Sequence, residues 1–473
     1  MKFTECDKGK CRQPKTWGYP PRNTAEREEY AEAHGSQRMN ETDTTNTCQL
    51  KGGLLEQILS NKNLQQAYKR VVGNKGAGGV DGMQVDELLP WLKTHQRELL
   101  QSLREGTYRP RPVRRVEIPK ENGKTRKLGI PTVVDRLVQQ AIHQVLSPIY
   151  EKEFSENSFG FRPKRGAHNA LRQCQTNISD GYSYVVDMDL ERYFDTVNQS
   201  KLVQQLSETV KDGRVISLIH KFLRAGILDR DMFEESEEGV PQGGPLSPLL
   251  GNVMLHECDR ELERRGHRFV RYADDLMVFC KSRKAAERTL NHLIPFIEGK
   301  LFLKVNREKT KVAHVRKVKF LGYGFYRYAG KGRLRTHERS VEKLKVKLRE
   351  VTGRSNGMGI EARKKRLNDI IRGWVEYFRL ADMKKLLAEL DPWLRRRLRM
   401  VAWKRWKKVK TKHKMLRKLG VPDNQAWQWA NTRKGYWRTA GSPILAQAMS
   451  NEKLKSAGYL TLTDCYRKVM CKV

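Results

Sequence analysis

The stretch Phe269-Val270-Arg271-Tyr272-Ala273-Asp274-Asp275-Leu276-Met277-Val278-Phe279 confines the fold more than any other segment. β-Forming apolar residues flank two adjacent carboxylates, which predicts a hairpin holding acids at its tight turn. Adjacent aspartates repel, so such a turn sits either in open solvent or around a cation. A second strand signal, Tyr184-Val185-Val186-Asp187-Met188-Asp189-Leu190, also ends in acids. Two such strands side by side make an oxygen site suited to Mg²⁺, which takes one or two carboxylates together with waters and substrate phosphates.

The surroundings of these acids are strongly basic. Lys and Arg number 93 and Asp and Glu 54 in 473 residues, a formal net charge of +39. Such a chain repels itself and calls for a polyanion, with nucleic acid the default because phosphate neutralisation releases counterions. A membrane-surface protein is disfavoured: no basic amphipathic anchor or lipidation signal is present, and no apolar run approaches the roughly 20 residues of a membrane span. The start, Met1-Lys2-Phe3-Thr4-Glu5-Cys6, lacks a signal-peptide core, so a cytoplasmic protein is expected. Eight cysteines include no C-x-x-C pair, which argues against a zinc site or a disulfide framework.

Residues 1–50 are polar and balanced in charge, and are expected to form a disordered extension. Gly73 to Gly82 is glycine-rich but lacks the Gly-Lys-Ser/Thr ending of a phosphate-binding loop, which predicts a plain flexible loop. Val113 to Lys120 and Thr125 to Ile130, joined by Glu121-Asn122-Gly123-Lys124, predict a hairpin with a basic tip. Asp135 to Tyr150 is patterned as an amphipathic helix, and the pattern is helical and basic throughout after about residue 340. A domain boundary is expected near 330–340, where Tyr328-Ala329-Gly330-Lys331-Gly332 has loop composition.

Tyr272-Ala273-Asp274-Asp275 between apolar strands resembles the metal-binding turn of reverse transcriptases, and the Asp189 strand resembles their first metal-binding motif. Gly239-Val240-Pro241-Gln242-Gly243-Gly244-Pro245-Leu246-Ser247-Pro248 resembles the loop and helix that contact template, primer and nucleotide. Ser158-Phe159-Gly160-Phe161-Arg162-Pro163 and Phe320-Leu321-Gly322-Tyr323-Gly324-Phe325 fit the same pattern. Order and spacing are closest to the reverse transcriptase–maturases encoded by bacterial group II introns, from about Leu54 to the end. The resemblance implies an α+β right-hand polymerase: fingers and palm of antiparallel sheet plus helices over 51–335, then an α-helical thumb and maturase region over 336–473. It implies an RNA-directed DNA polymerase that also assists splicing. Its partners would be group II intron RNA, an RNA template with a DNA primer, deoxynucleoside triphosphates and a DNA target, at the nucleoid of a bacterial cytoplasm.

The resemblance also implies residue roles. Asp189, Asp274 and Asp275 would be catalytic and hold two Mg²⁺ ions, with the carbonyl of Leu190 completing the second site. Asp189 precedes the aromatic Phe194 by five residues, as the family's ligand precedes the ring that blocks a ribose 2′-hydroxyl. Asp187 stays open as the alternative ligand. Lys120 and Arg126 would hold the triphosphate, because ammonium and guanidinium groups suit phosphate oxygens. Gln242 would contact nucleotide or template, Lys309 would protonate pyrophosphate, and Phe320, Leu321 and Gly322 would grip the primer.

Arg395 to Lys418 holds thirteen Lys or Arg and no acid, with Leu394, Leu398 and Val401 at helical spacing. A solvated helix normally mixes signs. Arg395, Arg396, Arg397, Arg399, Lys404, Arg405, Lys407 and Lys408 are therefore expected to track RNA phosphates. Many members of the family continue into a His-Asn-His nuclease domain; its absence before Val473 resembles the compact IIC class and predicts no second-strand nuclease. The alternatives are a domesticated reverse transcriptase serving repair or defence, and a splicing factor without polymerase activity, which would tend to lose the three acids.

Overall fold

The computed structural model describes residues 53–119, 125–230 and 232–471. The expectations for residues 1–50, for Lys120 and for the hairpin tip Glu121–Lys124 fall outside those residues.

Eleven strands occur among the described residues. In chain order they are β1 (Val113–Pro119), β2 (Thr125–Ile130), β3 (Tyr184–Met188), β4 (Ile227–Asp229), β5 (Met232–Glu234) and β6 (Arg268–Tyr272). Then follow β7 (Asp275–Cys280), β8 (Lys311–His314), β9 (Lys319–Phe320), β10 (Tyr323–Tyr328) and β11 (Lys331–Thr336). They form three sheets, ordered β2-β1-β4-β5, β6-β7-β3-β8 and β11-β10-β9. The first sheet departs from the expected all-antiparallel arrangement: β1 and β4 pair in parallel, through Val113↔Ile227 and Arg114↔Leu228. β4 arrives there after two helices, Gln199–Thr209 and Gly213–Leu223, which supply the crossover a parallel pair needs.

The second sheet divides two hydrophobic cores. Successive strand residues face opposite ways, so Val186, Leu276 and Val278 enter one core with Leu293 and Ile297 of the Arg283–Lys300 helix. Val185, Met277 and Phe279 enter the other, with Leu171 of the Ala167–Ser179 helix and Phe325 of β10. Burial on both faces explains why β3 and β7 are apolar almost throughout. The Val133–Glu151 helix, begun by the Thr132 side chain accepting from Asp135 N at 3.1 Å, passes through the first core.

The glycine-rich segment offers carbonyls, not amides, to its neighbours: Arg114 Nη2 donates to Gly78 O at 2.7 Å and Arg136 Nη2 to Ala77 O at 2.8 Å. That agrees with a plain loop. The segment expected to be a boundary loop is instead a two-residue hairpin turn. Ala329 and Gly330 have φ of +47° and +76° and join β10 to β11. Helices begin at Glu338, and everything from Gly53 onward forms one compact unit.

The helices Glu338–Val351, Ile360–Tyr377 and Lys384–Arg405 pack Leu344 and Leu348, Leu367 and Ile371, and Leu387 and Leu394 into the second core. These pairs sit four or seven residues apart, one face of an α-helix. The basic stretch is not one helix: it stops at Arg405, and a new helix runs Val409–Lys418. Trp403, Trp406, Leu416, Val421, Ala426 and Leu445 build a third, smaller core there. No described helix is long and apolar enough to cross a membrane.

Candidate active site

β3 and β7 run antiparallel with Met188 opposite Leu276. One step further along this register places Asp189 beside Asp275. β6 and β7 close on Tyr272↔Asp275, so Ala273 and Asp274 alone make the turn. The three expected catalytic acids therefore meet at one end of the second sheet.

Their charges act on each other. Crowding by surrounding protein, then repulsion from Asp274, Asp189 and Asp187, push the Asp275 carboxyl up to about 6, with Lys309 opposing. Asp275 is exposed at the sheet's end, so water tempers the first cause, and the like charges are what a cation would relieve. Asp187 lies two residues further in along β3, opposite Met277, where burial raises its carboxyl and Lys311 Nζ, 3.8 Å away, opposes. Among the described residues no three His, Cys, Asp or Glu side chains form a ready-made metal cage. Two or three open carboxylates fit a hard cation that draws its remaining ligands from water and phosphate.

Asp189 is clasped by the segment Val305–Thr310. Its amide donates to Thr310 Oγ1 at 3.2 Å, its carbonyl accepts from Asn306 N at 2.9 Å, and Leu190 bridges to Val305. This clasp brings Lys309 onto the acid, with Nζ 3.1 Å and 3.3 Å from the two carboxylate oxygens.

Phe194 follows a left-handed turn at Arg192 (φ +45°). Its carbonyl accepts from Val240 N at 2.7 Å, and the neighbouring Tyr193 hydroxyl donates to Gly251 O at 2.6 Å. A Cβ on Gly251 would lie 3.1 Å from the Phe194 ring, so this glycine lets the ring settle against the Ser247–Arg264 helix. The same loop carries Gln242, whose carbonyl accepts from Gly129 N at 2.7 Å and whose Oε1 accepts from Arg126 Nε at 2.8 Å. Two expected nucleotide contacts, from segments over a hundred residues apart, thus meet side chain to side chain.

The expected primer grip is a two-residue turn between β9 and β10, with Leu321 and Gly322 at φ +49° and +83°. Phe320 is buried beneath it. Leu321 O accepts from the Tyr377 hydroxyl at 2.9 Å, and Gly322 O from Ser340 Oγ at 2.8 Å, which fixes the turn against two helices of the C-terminal half. Of the basic residues, Arg396, Arg397 and Arg399 donate to Trp437 O, to Thr352 Oγ1 and to Met449 O, so much of their hydrogen bonding is spent inside the protein. Arg405, Lys407 and Lys408 are exposed; Arg395 and Lys404 are half-buried.

The support behind the acidic turn escaped the sequence reading. Arg271 and Asp259 are fully buried and pair through two parallel hydrogen bonds along one guanidinium edge, Nε–Oδ1 at 2.7 Å and Nη2–Oδ2 at 2.5 Å. Burial pushes the Asp259 carboxyl up while the guanidinium pulls it down. Arg271 Nη1 also donates to Asn252 Oδ1 at 2.9 Å and to the carbonyl of Ala273, inside the turn, at 3.0 Å. Asn252 Nδ2 in turn holds Gly160 O at 2.8 Å. A Cβ on Gly160 would fall 2.2 Å from Ala273 N, so only glycine allows this approach. Ala273 itself sits at φ +57°, a conformation that costs a non-glycine residue roughly 1 kcal/mol. The available signal was an arginine directly after the apolar pair Phe269-Val270 and three residues before the paired acids.

Residues 118–325 match the reverse transcriptase (RNA-dependent DNA polymerase) family, and residues 341–420 match the maturase-specific domain of group II introns. Protein YkfC of Escherichia coli (strain K12) is 36% identical over 302 residues, which are 55% of this chain and 79% of that protein. The group II intron-encoded protein LtrA of Lactococcus lactis subsp. cremoris is 32% identical over 351 residues, 59% of this chain and 58% of LtrA. This chain thus spans little more than half the length of LtrA. With a polymerase domain followed by a maturase domain, the chain belongs to the group II intron-encoded reverse transcriptases.

Proposed function

We propose that this chain copies RNA into DNA with Mg²⁺ held at Asp189, Asp274 and Asp275, and that its C-terminal half binds group II intron RNA and assists its splicing. The observation that carries the first part is the convergence of the three carboxylates at the open end of one sheet, where burial and then mutual repulsion raise Asp275. Bound Mg²⁺ would supply a more acidic primer 3′-hydroxyl and neutralise charge on the leaving pyrophosphate. The Leu190 carbonyl, next in the chain to Asp189, would be a further oxygen ligand.

Arg126 and Gln242 join β2 to the Gly239–Gly244 loop side chain to side chain, and a triphosphate and its base pair would replace their mutual bond. Lys120, the residue after β1 in the sequence, would complete the phosphate clamp. The Phe194 ring, backed by Gly251, excludes a ribose 2′-hydroxyl and selects deoxynucleotides. Lys309, whose Nζ lies 3.1 Å from Asp189 Oδ1, would be the group that delivers a proton to pyrophosphate. The Phe320–Gly322 turn seats the primer end, and the DNA target supplies that primer.

The division is fingers and palm over 51–335 and thumb and maturase over 336–473. The maturase match over 341–420 supports the second role, with Arg395, Lys404, Arg405, Lys407 and Lys408 as phosphate contacts and Arg396, Arg397 and Arg399 as partly internal ones. Such a protein works in the cytoplasm, on the nucleoid.

Primer extension on an RNA template with and without Mg²⁺ tests the polymerase. Activity is expected only with the metal, and full activity in an Asp274→Ala, Asp275→Ala double variant would sink the assignment.

A further inference from the structure

The lobe around the third core carries a charge and aromatic pattern that the polymerase does not use. From Lys404 to Arg438 there are twelve Lys or Arg and a single acid, Asp423, which is occupied by Arg417 and by His413 Nε2 at 3.0 Å. Two tryptophans stand out in this basic surface, Trp427 at 42% exposure and Trp437 at 39%. Burying both rings in the small core would be the ordinary fate of such side chains.

Each exposed indole is held rigid by a planar partner. The Trp427 ring stacks on the His413 imidazole with centroids 4.2 Å apart and planes 20° from parallel. Asn431 Nδ2 donates to the Trp427 carbonyl at 2.9 Å and fixes its backbone. The Arg396 guanidinium lies 4.1 Å from the Trp437 ring centroid and donates to the Trp437 carbonyl at 2.9 Å and 3.1 Å. Next to it, the Tyr436 ring lies between Arg354 and Lys404, at 5.1 Å and 5.0 Å. An exposed ring already immobilised on one face loses little entropy when a flat partner takes the other.

From this we infer that Trp427 and Trp437 are stacking platforms for unpaired bases of single-stranded RNA, with the surrounding lysines and arginines following the phosphates. Cations interleaved with exposed aromatic rings are what a single strand requires, because every base offers a face and every link a charge. A duplex hides its base faces and would meet only the cations. A protein or lipid partner would need complementary acid or a continuous apolar patch, whereas here Trp437 lies against Arg396 and Trp427 against His413 in a segment with twelve Lys or Arg and one acid. RNA is the occupant because the platform is continuous with the maturase-matched segment: His413, on which Trp427 stacks, lies inside residues 341–420. The inference rests on the proposed RNA-binding role of the C-terminal half and adds the form of RNA it takes.

The test uses the full chain, a short unpaired RNA oligonucleotide, the same sequence as DNA, and an RNA hairpin stem. Binding is followed by fluorescence anisotropy over a range of salt. Trp427→Ala and Trp437→Ala are each expected to weaken unpaired RNA binding about tenfold, with the salt slope unchanged. Binding to the hairpin stem should be unchanged, and Trp427→Phe and Trp437→Phe should retain most of the affinity. Unchanged RNA affinity in both alanine variants overturns the inference, as does an equal loss on the stem. A larger loss on DNA than on RNA also overturns it, by assigning the platforms to a DNA strand. Primer extension on a pre-annealed template is measured alongside: its absence in the parent protein would refute the polymerase assignment and leave the binding comparison intact.

Discussion

Replacing Arg271 and Asp259 separates holding the fold from aiming the catalytic turn. The pair has side-chain exposures of 1% and 0%. Asp259→Asn therefore leaves a buried guanidinium facing a neutral amide, which costs about 3–5 kcal/mol. At roughly 2 cal/mol/K of unfolding entropy per residue over about 400 residues, that is a fall of about 5 °C in melting temperature. Arg271→Met with Asp259→Leu removes both charges and keeps similar volume, so most of the lost stability should return.

Activity should not return with it. Arg271 is the donor to the Ala273 carbonyl, and Ala273 and Asp274 are the whole of the turn. Without that bond the left-handed Ala273 is free to relax, and a shift approaching 1 Å at Asp274 costs up to about a hundredfold in rate. Single-turnover primer extension at a temperature where each variant is folded gives the readout. The double variant should show a rate reduced about ten- to a hundredfold, with the KM for deoxynucleotide little changed. A double variant as stable as the parent and within twofold of its rate would refute the idea that this pair positions the acids.

Gly160→Ala should act on the same turn from the other side, since its methyl would land 2.2 Å from Ala273 N. A loss of about 1–3 kcal/mol in chemical denaturation is expected, together with a sharp fall in extension rate. Phe194→Ala should lower discrimination against ribonucleotides by about tenfold to a hundredfold in single-nucleotide incorporation, and unchanged discrimination would remove Phe194 as the gate. His143, half-buried on the Val133–Glu151 helix, has its imidazole pushed down to about 4 by burial and by Arg70. Its folded value lies below the unfolded value near 6.5, so its share of stability is complete above about pH 6.5 and lost as pH falls towards 4. That share is on the order of 2–3 kcal/mol. His143→Gln should flatten the fall in urea midpoint between pH 6.5 and 4, and a parallel pair of curves would contradict this.

What the sequence disclosed follows a physical line. The meeting of the acids was legible because carboxylates at the ends of apolar strands break a strong local pattern, whereas the role expected of Phe194 came from resemblance alone, through its spacing from Asp189. The β1–β2 hairpin was legible for the same local reason. The parallel pairing of β1 with β4 was not, since β4 has only three residues and its partner is set by the helices that precede it. The Tyr328–Lys331 turn has the composition of a linker, and only the strand register shows it to be a hairpin. Arg396, Arg397 and Arg399 look like surface charge in a run of thirteen cations, yet their carbonyl partners come from 41 to 50 residues away. Charge is written in the sequence, but its consumption by internal acceptors is a tertiary fact.

The same distinction explains how a repelling cluster of acids can be held at all. Alternate residues of β3 and β7 are committed to two different cores, so the sheet cannot twist or slide by one residue without exposing Val185 and Phe279 or Val186 and Val278. The register that sets Asp189 beside Asp275 is therefore fixed by burial on both faces, far from the charges themselves. Local costs, the strained Ala273 and the like charges around Asp275, are offset by apolar contacts that do not depend on them. Removing the acids should then relieve repulsion and leave the fold intact or more stable, whereas removing Arg271 or Gly160 should disturb the turn while every acid remains. A site built this way loses its chemistry through two routes that stability measurements can tell apart.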